Sequence, residues 1–243
     1  MLVDEWLCGA WTRDWIRRAA ADGRLGAADS SVSVRYVQTP RAFVDVRTPR
    51  SPHTTEGAMA FGGVAAVEQQ AGSPPLVRWH ALLCFAPPCD AADGRWEAAA
   101  AGAPLPTEDE GYFERQAEAE VYLERDPAGS LEERWVRIES GGGRFLSARR
   151  GQRALLAVAN DHFAVAIDGR PAEGPPVAYA AGRISAAGWR VEACLAVAGR
   201  EESAASRTWR EGALLTLPGG VEEWQLLEGT TMSWEELGAV FEK

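Results

Sequence analysis

The sequence predicts an all-β protein made of two similar antiparallel β-barrels and a short C-terminal helix. Three observations predict it. Short apolar/polar alternating runs recur along the chain, turns rich in Gly, Pro, Asn and Asp separate them at close spacing, and a weak internal repeat straddles a segment poor in apolar residues.

Taken in order, residues 11–21, WTRDWIRRAAA, fit either a short helix with Trp11, Trp15 and Ala19 on one side or the run into a first strand. Residues 32–49, VSVRYVQTPRAFVDVRTP, are two strand-like runs pivoting on Thr39-Pro40. In the second run Phe43, Asp45 and Arg47 share one face and Ala42, Val44 and Val46 the other, while Arg35 alternates with Val34 and Tyr36. Residues 77–85, VRWHALLCF, alternate in the same way, with Val77, Trp79, Ala81, Leu83 and Phe85 opposite Arg78, His80, Leu82 and Cys84. Residues 86–111 are dominated by Ala, Pro, Gly and acids, bury little apolar surface, and read as a linker. Beyond them, residues 120–138 form two runs around Asp126-Pro127-Ala128-Gly129, where proline presets φ and glycine tolerates a positive one. ALLAVAN and FAVAIDGRP flank Asp161-His162 in a second hairpin, and WRVEACLAVAG from Trp189 is a further strand. Ser233-Trp234-Glu235-Glu236 is a capping box that opens a terminal helix, with Trp234, Leu237, Val240 and Phe241 on its packing face.

Sliding the chain by about 120 positions superposes Trp15 on Trp135, Arg17 on Arg137, Gly23-Arg24 on Gly143-Arg144 and Phe43 on Phe163. Ala58, Ala60 and Gly62 fall on Ala178, Ala180 and Gly182 without a gap. The repeat and the linker divide the chain into a first barrel over residues 1–105 and a second, with the helix, over 106–243.

A Gly9-Ala10-Trp11 near the first strand, two successive all-β units and a capped helix after the last strands resemble the calycin superfamily of lipocalins and fatty-acid-binding proteins. Trp11 to Arg17, Val37-Gln38-Thr39-Pro40 with Asp45-Val46-Arg47, and Glu133-Arg134-Trp135 make the chain similar to a family of double-barrel calycin-like proteins, known from a fungal kinase-interacting member and bacterial relatives. That resemblance implies the fold without an assigned activity. The Thr-Asp-Tyr motif of true lipocalins is absent, so their ligand class is not carried over.

Composition narrows the function. The 243 residues are 46% hydrophobic with a net charge of -10, and the arginines are scattered among acids, which argues against nucleic acid and against anionic membrane surfaces. The opening residues lack a basic segment followed by a long apolar run, and no stretch has the length to cross a bilayer, so a cytoplasmic location without membrane insertion is expected. Four cysteines are too few for a disulfide scaffold. Cys8, Cys84 and Cys194 lie in apolar runs as small hydrophobes, whereas Cys89 follows a diproline in an exposed loop.

No metal or cofactor is expected. His53, His80 and His162 are far apart, without a cysteine or acid at ligand spacing. Gly141-Gly142-Gly143 lacks the lysine of a phosphate loop and reads as a turn, and no nucleophile elbow appears. Glu108-Asp109-Glu110 reads as a solvated charge run. No catalytic residue stands out.

The candidate ligand-binding residues are Arg35, Asp45, Arg47, Trp79 and His80, with Arg78 beside them. If the charged strand faces line a barrel, Arg35 and Arg47 could receive a carboxylate while Asp45 holds an arginine in place. If they face water, they form cross-strand pairs of little consequence. Ten tryptophans serve as core and barrel-end packing or as an aromatic pocket, with Trp79 on the apolar face of its strand. The expected function is non-catalytic binding of a small apolar, amphipathic or carboxylate-bearing ligand, or of a partner protein. The rival is a barrel enzyme, an isomerase, cyclase or chromophore lyase, using Asp45 or His80 as acid or base beside an arginine.

Overall fold

Eight consecutive antiparallel strands close into a barrel, and six further strands make a second sheet packed on its outside. The computed structural model describes residues 2–51, 57–69, 71–84, 109–118, 120–140, 143–151, 154–167, 178–196, 212–215, 217 and 220–239. The barrel strands are β1 (Gly9–Arg18), β2 (Val32–Gln38), β3 (Phe43–Pro49), β4 (Met59–Glu68), β5 (Leu76–Cys84), β6 (Asp109–Arg115), β7 (Val121–Arg125) and β8 (Leu131–Ser140). Each pairs with the next, and β1 pairs with β8 to close the ring. The second sheet runs β13-β12-β11-β10-β9-β14, from β9 (Phe145–Arg150), β10 (Ala154–Ala159), β11 (His162–Ile167), β12 (Ala178–Ser185), β13 (Gly188–Ala196) and the short β14 (Gln225–Leu226).

Several expectations hold. The turn at Asp126–Gly129 joins β7 to β8, with Gly129 at φ 68°. Asn160 at φ 51° turns β10 into β11. The capping box is present: Ser233 accepts from the Glu236 amide, and Glu236 accepts from the Ser233 amide in return. The helix it starts, α1 (Trp234–Leu237), is a single turn ended by Gly238 at φ 56°, with Leu237 buried. Val240 and Phe241 lie outside the described residues.

Other expectations take a more definite or a different form. Of the two readings of residues 11–21 the strand is the one found: residues 11–18 belong to β1, because β8 offers this segment a hydrogen-bonded ladder along its length and β2 pairs with its start at Gly9–Trp11. The unit expected to end at residue 105 stops short of closure: β6, β7 and β8 lie beyond it and complete the barrel. The residues taken as linker fall largely outside the described ones, but 109–111 open β6. Among the described residues the second sheet is open, not a second closed barrel.

The two bodies share a core. Val37, Val44 and Val46, on the outer face of β2 and β3, are buried with Leu155, Ala157, Ala164 and Ala166 of β10 and β11. The alanines keep the sheet's near face flat enough for two backbones to approach. The sheet's far face is covered by Leu215, Leu217, Trp224, Met232 and Leu237, so β10 and β11 are buried along their whole length. Thr39 Oγ1 and Ser147 Oγ, 2.5 Å apart and both fully buried, tie the β2–β3 turn to β9.

Candidate functional site

Residues directly opposite one another on antiparallel strands share a face, so register decides what lines the lumen. Tyr36 stands opposite Asp45, and Asp45 opposite Phe61. Trp79 stands opposite Asp109, Phe113 opposite Glu124, and Glu124 opposite Glu133. Closure brings these side chains, Glu133 excepted, together with Arg47 and Trp135 around one recess inside the barrel. Its cavity volume is about 20 Å³, room for about one water.

One end of the barrel is shut by the N-terminal segment. Leu7 is fully buried, its carbonyl accepts from Trp11 Nε1 at 2.9 Å, and the Trp6 ring stacks on Tyr122. Arg137 donates to the Trp6 carbonyl and lays its guanidinium 4.5 Å from the centre of the Trp11 ring. The recess lies toward the other end, where β3 finishes and β4 and β6 begin.

The lumen holds an organised set of charges. Asp45 is 1% exposed, and its Oδ2 accepts from Arg47 Nε at 3.0 Å, with Nη2 at 2.9 Å. Its Oδ1 is buried with no hydrogen-bond partner among the described residues. Arg47 lies over the Phe61 ring, and its side chain remains 15% exposed, so it marks the way to solvent. Glu124 Oε2 accepts from Trp135 Nε1 at 2.7 Å, and Tyr36 Oη accepts from Trp79 Nε1 at 3.0 Å while donating to Gln38. Arg13 and Glu133 make a further buried pair at 2.6 Å.

Loss of water governs how these carboxyls titrate. Burial pushes Asp45 up, against the lowering pull of Arg47. Burial, with Glu133 and Asp109 adding repulsion, pushes Glu124 well above the usual carboxylate range. Asp109, exposed as a residue but turned to the lumen, is pushed up to about 6 by the same loss of water.

Of the residues singled out from sequence, Asp45, Arg47 and Trp79 meet in the lumen. Arg35 does not. It stands opposite Val46 on the outer face, with Nη2 3.7 Å from Glu192 Oε2 on β13. His80, one residue after Trp79, takes the other face of β5, and Arg78 pairs outside with Glu68 and Glu110. His53 lies outside the described residues. Asp109, expected in a solvated charge run, is exposed as a residue and also lines the recess.

The alternation missed Arg13, Glu124, Glu133 and Asp109. A signal for two of them existed: the hairpin at Asp126–Gly129 places Glu124 directly opposite Glu133. Like charges facing each other across a hairpin are destabilising, so such a pair points to a special environment.

No family model matches the chain, and no curated protein matches it. Among solved structures it is similar to the uncharacterized protein YLR301w from Saccharomyces cerevisiae, at 9% identity over 79% of this chain and 86% of that one, with a TM-score of 0.48. Among the described residues no helix is long and apolar enough to cross a membrane, and no group of three or more His, Cys, Asp or Glu is placed to hold a metal ion. Cys8 and Cys194 are free, and burial pushes the Cys8 thiol up to about 12. Cys84 is disulfide-bonded, in contrast to the free hydrophobe expected of it.

Proposed function

We propose that the protein is a calycin-like binding protein that holds a small amphipathic ligand in the lumen of its barrel. One observation carries the reading: Asp45 Oδ1 is buried at the wall of the recess without a partner. A buried acceptor left unpaired costs about 1–3 kcal/mol, which an occupant with a donor recovers. The aromatic wall of Tyr36, Phe61, Trp79, Phe113 and Trp135 supplies apolar surface for the rest of the ligand.

Calycin kinship and an internal duplication are supported by two matching meanders. β2 to β5 and β10 to β13 each run as four successive antiparallel strands, and each has a register shift at a glycine, Gly63 in the first and Gly182 in the second.

A second reading, a barrel enzyme, is favoured by the raised carboxyls of Asp45 and Glu124 beside Arg47, the pattern of a poised acid or base. Native mass spectrometry of the protein isolated from its host separates the two. A non-covalent small-molecule adduct recovered unchanged after denaturation supports binding. A chemically altered molecule turned over by the protein, and no longer by Glu124→Gln, supports the enzyme.

A further inference from the structure

Resting on the lumen-binding reading, we propose that the ligand is a small aryl- or alkylamine whose ammonium head enters the lumen against Asp45 Oδ1, with its tail in the recess toward solvent.

The charges facing the lumen can be counted by strand. β1 brings Arg13, β3 Asp45 and Arg47, β6 Asp109, β7 Glu124 and β8 Glu133; β2 adds the Tyr36 hydroxyl, and β4 and β5 bring Phe61 and Trp79. Arg13 is taken by Glu133, and Arg47 by Asp45 through Oδ2 alone. Arg137 sits at the shut end over Trp11, and Glu124 holds its own proton, so the unmet demand at the recess is that of Asp109 and of the second oxygen of Asp45, a buried acceptor without a partner.

Size and shape point the same way. A cavity of about 20 Å³ takes a group the size of one water, as an ammonium head is, and a tail then runs out past the partly exposed Arg47 toward solvent. Aromatic faces around the space favour a cation through their quadrupoles. A carboxylate ligand would instead meet three carboxyls and an Arg47 whose Nε and Nη2 already face Asp45. Glu124 lines the same recess and keeps its proton to higher pH than a free glutamate, so an ammonium held in the recess favours loss of that proton. Binding is therefore coupled to proton release, and affinity rises with pH until the amine itself deprotonates.

The test uses the full chain and three probes of similar shape: phenethylamine, phenethyl alcohol and phenylacetate. Calorimetry in buffers of different ionisation enthalpy gives affinity and proton count, and the emission of Trp79 and Trp135 reports occupancy. Phenethylamine is expected to bind about tenfold or more tighter than the alcohol, with proton release, and phenylacetate not at all. Asp45→Asn is expected to lose about tenfold in amine affinity while keeping that for the alcohol. Since Asp45→Asn also loosens Arg47, Glu124→Gln is the second variant; it keeps an acceptor for Trp135 and is expected to abolish the proton release. Alcohol or phenylacetate binding as tightly as the amine overturns the amine and leaves lumen binding standing. No response to any probe overturns both.

Discussion

Asp45 governs the lumen's electrostatics, because it is the buried counter-ion of Arg47 and still has an oxygen unused. Asp45→Ala leaves the Arg47 charge in the barrel without its partner and is expected to destabilise by about 3 kcal/mol, read by chemical denaturation. Arg35→Ala removes only a half-exposed contact 3.7 Å from Glu192 and should cost well under ~1 kcal/mol in the same assay. A pH titration of stability isolates Glu124. Its folded-state carboxyl is raised, so the folded protein holds a proton that the unfolded chain gives up above pH 4.5. The stability this contributes is fully present below that value and is lost as pH rises through the folded-state one. Asp45 and Asp109 act in the same sense. Glu124→Gln is therefore expected to flatten the fall in unfolding free energy above about pH 5, with part of the slope remaining. An unchanged slope would show that Glu124 is ionised in the folded barrel. That Asp45 and Arg47 share a face was legible from their spacing; that Arg35 lies on the opposite one required the register Arg35 to Val46.

At the level of strands, the meander from β4 into β5 depends on Gly63. The register shifts between Gly62 and Gly63, and a Cβ on Gly63 would lie 2.1 Å from the His80 carbonyl oxygen, backbone that cannot swing aside. Gly63→Ala is expected to lower stability by roughly 2–3 kcal/mol, seen as a drop in melting temperature. Gly182, whose Cβ would meet the Arg190 carbonyl at 2.0 Å, predicts the same in the second sheet. Hairpins were legible wherever a turn residue announced them, as at Gly129 and Asn160, since positive φ is a property of the residue itself. β1 was ambiguous because its two tryptophans fit either period, and only its ladders with β2 and β8 decide for a strand.

For the molecule as a whole, barrel closure spans the expected boundary. A fragment of residues 1–105 keeps β1 to β5 but loses β8, which pairs with β1 along the full length of that strand. It is expected to show no near-ultraviolet circular dichroism, the sign of lost aromatic packing, whereas a folded spectrum would mean that closure is dispensable. The barrel also leans on its neighbour, since removing the second sheet uncovers Val37, Val44 and Val46 together.

The amino-acid sequence by itself determined that the chain is all-β, where most turns fall, and which side chains alternate with which, because strand period and turn preference are local properties of a few residues. Only the tertiary structure decided which face is inside. Apolar Val44 and Val46 point outward and charged Asp45 and Arg47 inward, the reverse of the ordinary expectation, because the second sheet buries the barrel's outer face while the lumen can satisfy charge with opposite charge. That assignment depends on ring closure between β1 and β8 and on a layer contributed by residues more than a hundred positions away, and no window of sequence contains it.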